Sequence, residues 1–173
     1  SARESLDLEA VLEWAKTRYR RLGVLGFSLG AAIAMNTIGK YCDVVTSLVA
    51  VSGPSSFEEI EFKVWTPEAM RIGLQGLEPG AGCRPGNPLL EKPRPIDAIR
   101  SLAGLSKFFI HGTQDVIVGV AHSRRLYEAA AEPKRLEILE RGRHAEALFR
   151  DEPERFCRLV QTWWRDTLNP LIG

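Results

Sequence analysis

Four short strand-like runs separated by helix-forming segments constrain this chain more than any other feature. The runs are residues 22–27, 44–51, 107–110 and 135–139; the second is rich in β-branched residues and ends at Ser52-Gly53-Pro54. The first holds Gly23 but is otherwise apolar enough for a buried strand. Leu8, Val11, Leu12, Ala15 and Tyr19 recur at helical spacing behind a possible N-cap at Ser5. Residues 29–38 and 121–131 also read as helices, the latter ended before Pro133. In a last helix over Pro153–Leu168, Phe156, Leu159, Val160, Trp163 and Trp164 make an apolar face. Strands joined by helices of this length pair in parallel through right-handed crossovers. The expected class is therefore α/β, a parallel sheet with helices on both faces.

Residues 55–95 break the pattern. Six of the ten prolines and five of the 15 glycines fall there, which reads as an inserted lid and not a second core. Its apolar side chains, among them Phe57, Ile60, Phe62, Trp65 and Met70, lean toward an acyl or aromatic ligand. Twenty-three basic against 22 acidic residues, with no long block of either sign, speak against nucleic acid or an anionic membrane as partner. No stretch approaches the 18 apolar residues of a membrane span. Cys42, Cys83 and Cys157 are odd in number and lack Cys-x-x-Cys spacing, which fits scattered thiols in a reducing cytoplasm. The chain opens on Ser1, and its true N-terminus is expected upstream.

Gly26-Phe27-Ser28-Leu29-Gly30 sits between an expected strand and an expected helix. Glycines at both ends suit a sharp turn in which side chains would collide with strand and helix, and the turn holds the Ser28 hydroxyl clear of the sheet. The Leu29 N–H, in the first helical turn, is placed to donate to an oxyanion. A serine hydroxyl needs an imidazole to take its proton, and three histidines are available. His122 reads as a solvated helix residue, and His111 as one that packs or hydrogen-bonds locally. His144 follows the last strand, at the same sheet edge as Ser28, on a loop that Gly142 frees to turn back. Asp115 follows the third strand and could fix the tautomer of His144, or serve only an Asx turn. Glu58, Glu59 and Glu146 compete for that place; the first two read as the solvated start of the lid, and Glu146 is too near His144 in sequence to reach around its ring.

These residues, with His111-Gly112-Thr113-Gln114-Asp115 and Gly142-Arg143-His144-Ala145-Glu146, resemble the α/β-hydrolase superfamily, especially its lysophospholipase-like and serine-aminopeptidase-like branch. The order Ser28, Asp115, His144 is the order of that fold. The resemblance implies a core of residues 1–54 and 106–173 around a cap of residues 55–105. It also implies a serine esterase acting on small or medium apolar acyl esters, with catalytic Ser28, Asp115 and His144, the Leu29 N–H as an oxyanion donor, and no metal or organic cofactor. An acyltransferase, a peptidase or an inert binding module of the same fold are the alternatives. Ala31 stands where many members have a second glycine, a methyl expected to be tolerated. The N-terminal strands of the family, and the loop that brings its second oxyanion donor, have no counterpart here. An N-terminal part of the same protein, or a second chain, is thus expected beside Leu22–Phe27.

Overall fold

A computed structural model describes residues 2–57 and 94–168. In chain order the elements are α1 (Ala2–Lys16), β1 (Leu22–Phe27), α2 (Leu29–Thr37) with a 3-10 turn (Ile38–Tyr41), β2 (Val45–Val51), α3 (Pro95–Ser101), β3 (Ser106–Gly112), α4 (Ala121–Ala129), β4 (Lys134–Leu139), α5 (Glu146–Asp151) and α6 (Pro153–Leu168). The four strands form one sheet in the order β1-β2-β3-β4, every pair parallel. The expected class is found, with β1 and the last helix at their expected bounds.

Side chains alternate across the sheet and separate two cores. On one face Leu48, Ala50 and Phe109 pack with Leu12 of α1, Ala34 and Met35 of α2, Ile99 of α3 and Leu126 of α4. On the other, Val49, Val51, Phe108 and Ile110 meet Leu148 of α5 and Phe156 and Val160 of α6. With both faces covered, the two inner strands are almost wholly buried, which is why residues 48–51 and 108–110 read as continuous apolar runs. Gly23 in β1 leaves room for Trp164, whose ring would meet a Cβ there at 2.8 Å.

Several expectations shift in detail. Ser5 lies inside α1 instead of capping it, and Tyr19 lies beyond its end. Most of the expected cap, residues 58–93, lies outside the described residues, as does Cys83. The last part of the 55–105 stretch belongs to the packed core: α3 follows Arg94, and Ile99, Leu102 and Leu105 are buried. Among the described residues no helix is long and apolar enough to cross a membrane.

Candidate active site

The C-terminal ends of parallel strands open on one edge, and three of them supply the site. Ser28 stands between β1 and α2 with φ 48° and ψ −117°, a left-handed backbone that costs a non-glycine residue about 1–3 kcal/mol. Hydrogen bonds hold it there: the Ser28 N–H donates to the Val51 carbonyl (2.8 Å), and the Ala31 and Ala32 N–H groups donate to the Ser28 carbonyl (3.1 and 3.3 Å). The turn is possible because of Gly26, where a Cβ would lie 2.7 Å from the backbone of Ala31. Gly30 plays no such part, since a Cβ there meets nothing among the described residues within 4 Å, so only one of the two glycines answers to the expected collision. Ala31 is fully buried, and its methyl fits because the facing residue is Gly53. Leu29 opens α2, so its N–H has no carbonyl to reach within the helix.

His144 connects the other two residues. Its Nδ1 lies 2.7 Å from Asp115 Oδ2 and its Nε2 lies 2.9 Å from Ser28 Oγ. An ionised carboxylate only accepts, so Nδ1 bears the proton and the Nε2 lone pair faces the serine hydroxyl. Asp115 divides its oxygens. Oδ1 accepts the N–H groups of Ile117 (3.0 Å) and Val118 (2.9 Å), so the Asx turn and the histidine contact coexist, while Oδ2 faces His144. Burial would raise this carboxyl's pKa, but hydrogen bonds from His111, His144 and the Val118 N–H, with the charge His144 can carry, hold it well below the usual carboxylate range.

The loops bearing Asp115 and His144 are strapped together. The Thr113 N–H donates to the Leu139 carbonyl (3.0 Å), the Gln114 N–H to the Gly142 carbonyl (2.8 Å) and the Arg141 N–H to Thr113 Oγ1 (2.9 Å). Gly142 is needed for closeness, not for freedom: the residue with positive φ is Arg141, at 59°, whereas a Cβ on Gly142 would meet Leu148 at 2.6 Å. Glu146, the competing acid, is the exposed first residue of α5. Glu58 and Glu59 lie outside the described residues.

Two contacts escaped the reading of the sequence. His122 is buried, not solvated, and its Nδ1 accepts from the Ser55 N–H at 3.1 Å. The signal was present in the spacing of His122 and Leu126, one turn apart on the core face of α4. The second is Ser52, at φ 49°, whose buried Oγ accepts the N–H of Ala145 (3.0 Å), a residue itself at φ 48°. Ser52 thereby fixes the backbone next to His144. Changing Ser52 to Ala leaves that buried N–H unpaired and is expected to lower stability by about 1–3 kcal/mol, read from the urea unfolding midpoint.

No protein-family model and no curated protein matches this chain. Solved structures do. An esterase domain from a Rhodothermus marinus protein superposes with TM-score 0.66 at 23% identity, over 93% of this chain and 67% of its own. An esterase of Pyrococcus furiosus gives 0.69 at 21%, over 95% and 62%. An α/β hydrolase from a lagoon-sediment metagenome in Morocco gives 0.63 at 17%, over 94% and 68%. The chain therefore spans only part of the length of each, from 62% to 68%. Parallel sheet, helices on both faces and these superpositions agree that the chain has the α/β-hydrolase fold.

Proposed function

We propose that this chain is the triad-bearing part of a serine esterase that cleaves carboxylic esters of small or medium apolar acyl groups. The row Ser28–His144–Asp115, at 2.9 and 2.7 Å, is the observation that supports this reading. His144 Nε2 takes the proton as Ser28 Oγ attacks the ester carbonyl, and the Leu29 N–H donates to the oxyanion that forms. The imidazolium returns its proton to the leaving alcohol, giving an acyl-enzyme. Water activated by the same ring then releases the acid, with Asp115 charged throughout. The exposed side chains of Leu29, Val116 and Phe149 follow Ser28, Asp115 and His144 closely in sequence and favour an apolar acyl group. Likeness to two proteins named as esterases favours an ester over an amide.

A second oxyanion donor is proposed to come from polypeptide paired along β1, the outer strand next to Ser28; lacking one donor costs about 10²- to 10³-fold in rate. The test is reaction with a fluorophosphonate probe followed by peptide mass mapping. An adduct on the peptide containing Ser28 is expected. Folded protein that stays unmodified, or is modified elsewhere, would sink the reading.

A further inference from the structure

Beyond Asp115 the hydrogen-bonded row continues away from the cleft. His111, the sixth residue of β3, has its Nε2 2.7 Å from the Val118 carbonyl and 3.1 Å from Asp115 Oδ2, and its Nδ1 2.6 Å from Ser123 Oγ in α4. His111 and Ser123 are fully buried. A carbonyl only accepts, so Nε2 bears a proton, aimed chiefly at Val118 with Asp115 on its flank. Nδ1 of the neutral ring then accepts from the Ser123 hydroxyl. Two imidazoles thus converge on one carboxylate oxygen, each backed by a serine: Ser28 toward the cleft, Ser123 in the core.

We propose that His111 is a positioning residue for the Asp115–His144 pair and that Ser123, hydrogen-bonded to its other ring nitrogen, holds the ring in the orientation in which it does so. The proposal rests on the reading of Ser28, His144 and Asp115 as a triad. Oδ1 is held by two backbone N–H groups, and Oδ2 has His144 on one side. His111 closes the other side. It also ties the carbonyl of Val118, whose N–H binds Oδ1, so the turn that presents the carboxylate is gripped at both of its polar ends. Neither residue touches the place where an ester would sit, so its effect must pass through the orientation of Asp115 and should appear in kcat, not KM.

The test compares His111→Leu, His111→Gln and Ser123→Ala in the full chain, by turnover of a p-nitrophenyl ester and by the low-field proton resonance of His144 Nδ1–H without substrate. His111→Leu is expected to lower kcat about tenfold or more with KM within about twofold, while His111→Gln, whose amide N–H takes the place of Nε2–H, recovers to within about threefold. The resonance should move in His111→Leu and return in His111→Gln. Native kcat with an unmoved resonance in a folded His111→Leu, or a folded His111→Gln no better than His111→Leu, overturns the proposal. Should His111→Leu not fold, Ser123→Ala decides: lowered kcat, unchanged KM and a moved resonance support the role, and native values overturn it. If the fluorophosphonate probe leaves Ser28 unmodified in the folded native chain, the esterase reading fails by itself, and the resonance still decides whether His111 orients Asp115.

Discussion

Replacing Asp115 by Asn is expected to lower kcat by about 10⁴-fold with little change in KM. The size follows from which oxygens are taken. Ile117 and Val118 both donate to Oδ1, so the amide oxygen of Asn must occupy that place and turn its NH2 toward His144 and His111. His111 cannot surrender its Nε2 proton without stranding the buried Val118 carbonyl. The conflict is relieved at His144, whose ring accepts at Nδ1 and shifts its proton to Nε2. That nitrogen then donates to Ser28 and can no longer receive the proton that attack releases. Steady-state kinetics on the folded variant checks this, and kcat within tenfold of native would exclude the tautomer argument. Stability carries a matching signature. Because the folded pKa of Asp115 is depressed, its contribution is fully present above the unfolded value of about 3.9 and is lost as pH falls through the folded one. The stability gap between native protein and D115N, measured by denaturant unfolding, should therefore be widest above that value and close only in strongly acid solution.

Much of this geometry was legible because parallel strands share one edge. Residues placed just beyond the ends of β1, β3 and β4 must lie near one another, so Ser28, Asp115 and His144 could be matched without knowing a single contact. The contacts behind them were hidden for a different reason. Strand alternation puts His111 on the same face as Phe109, the side covered by α4, but spacing does not tell which helical residue lies opposite, and it is Ser123. Ser52 and Ala145 were hidden because nothing in their side chains announces a positive φ; only the meeting of two loops, 93 residues apart in sequence, requires it. Helix α5 is too short, at six residues, for periodicity to register. Residues 95–101 follow a proline-rich stretch, and Pro95 was counted with the lid although it starts a helix whose Ile99 is fully buried in the core.

The two glycines Gly112 and Gly30 should respond in opposite senses to the same added methyl. At Gly112, the last residue of β3, a Cβ would lie 2.1 Å from the carbonyl oxygen of Gly142 and 2.3 Å from its carbon. Both partners are backbone, so no rotamer relieves the overlap, and one loop must retreat by roughly an ångström. The loop that gives way carries His144, and its retreat lengthens the Gln114 N–H to Gly142 carbonyl bond that straps the two loops together. A displacement of that size costs on the order of 10²-fold in catalysis, so Gly112→Ala is expected to lose at least that much kcat together with about 1–3 kcal/mol of stability. At Gly30 the same Cβ meets nothing among the described residues within 4 Å, and the residue lies in the first turn of α2 without a positive φ. Gly30→Ala removes only backbone freedom from the unfolded chain, so stability should rise by about 0.4–1 kcal/mol. Thermal midpoints and ester turnover of the two variants, measured side by side, separate the effects. Equal destabilisation would mean that added bulk anywhere near the site is harmful. A loss confined to Gly112→Ala would locate the requirement in the close approach of the two loops that set Asp115 against His144.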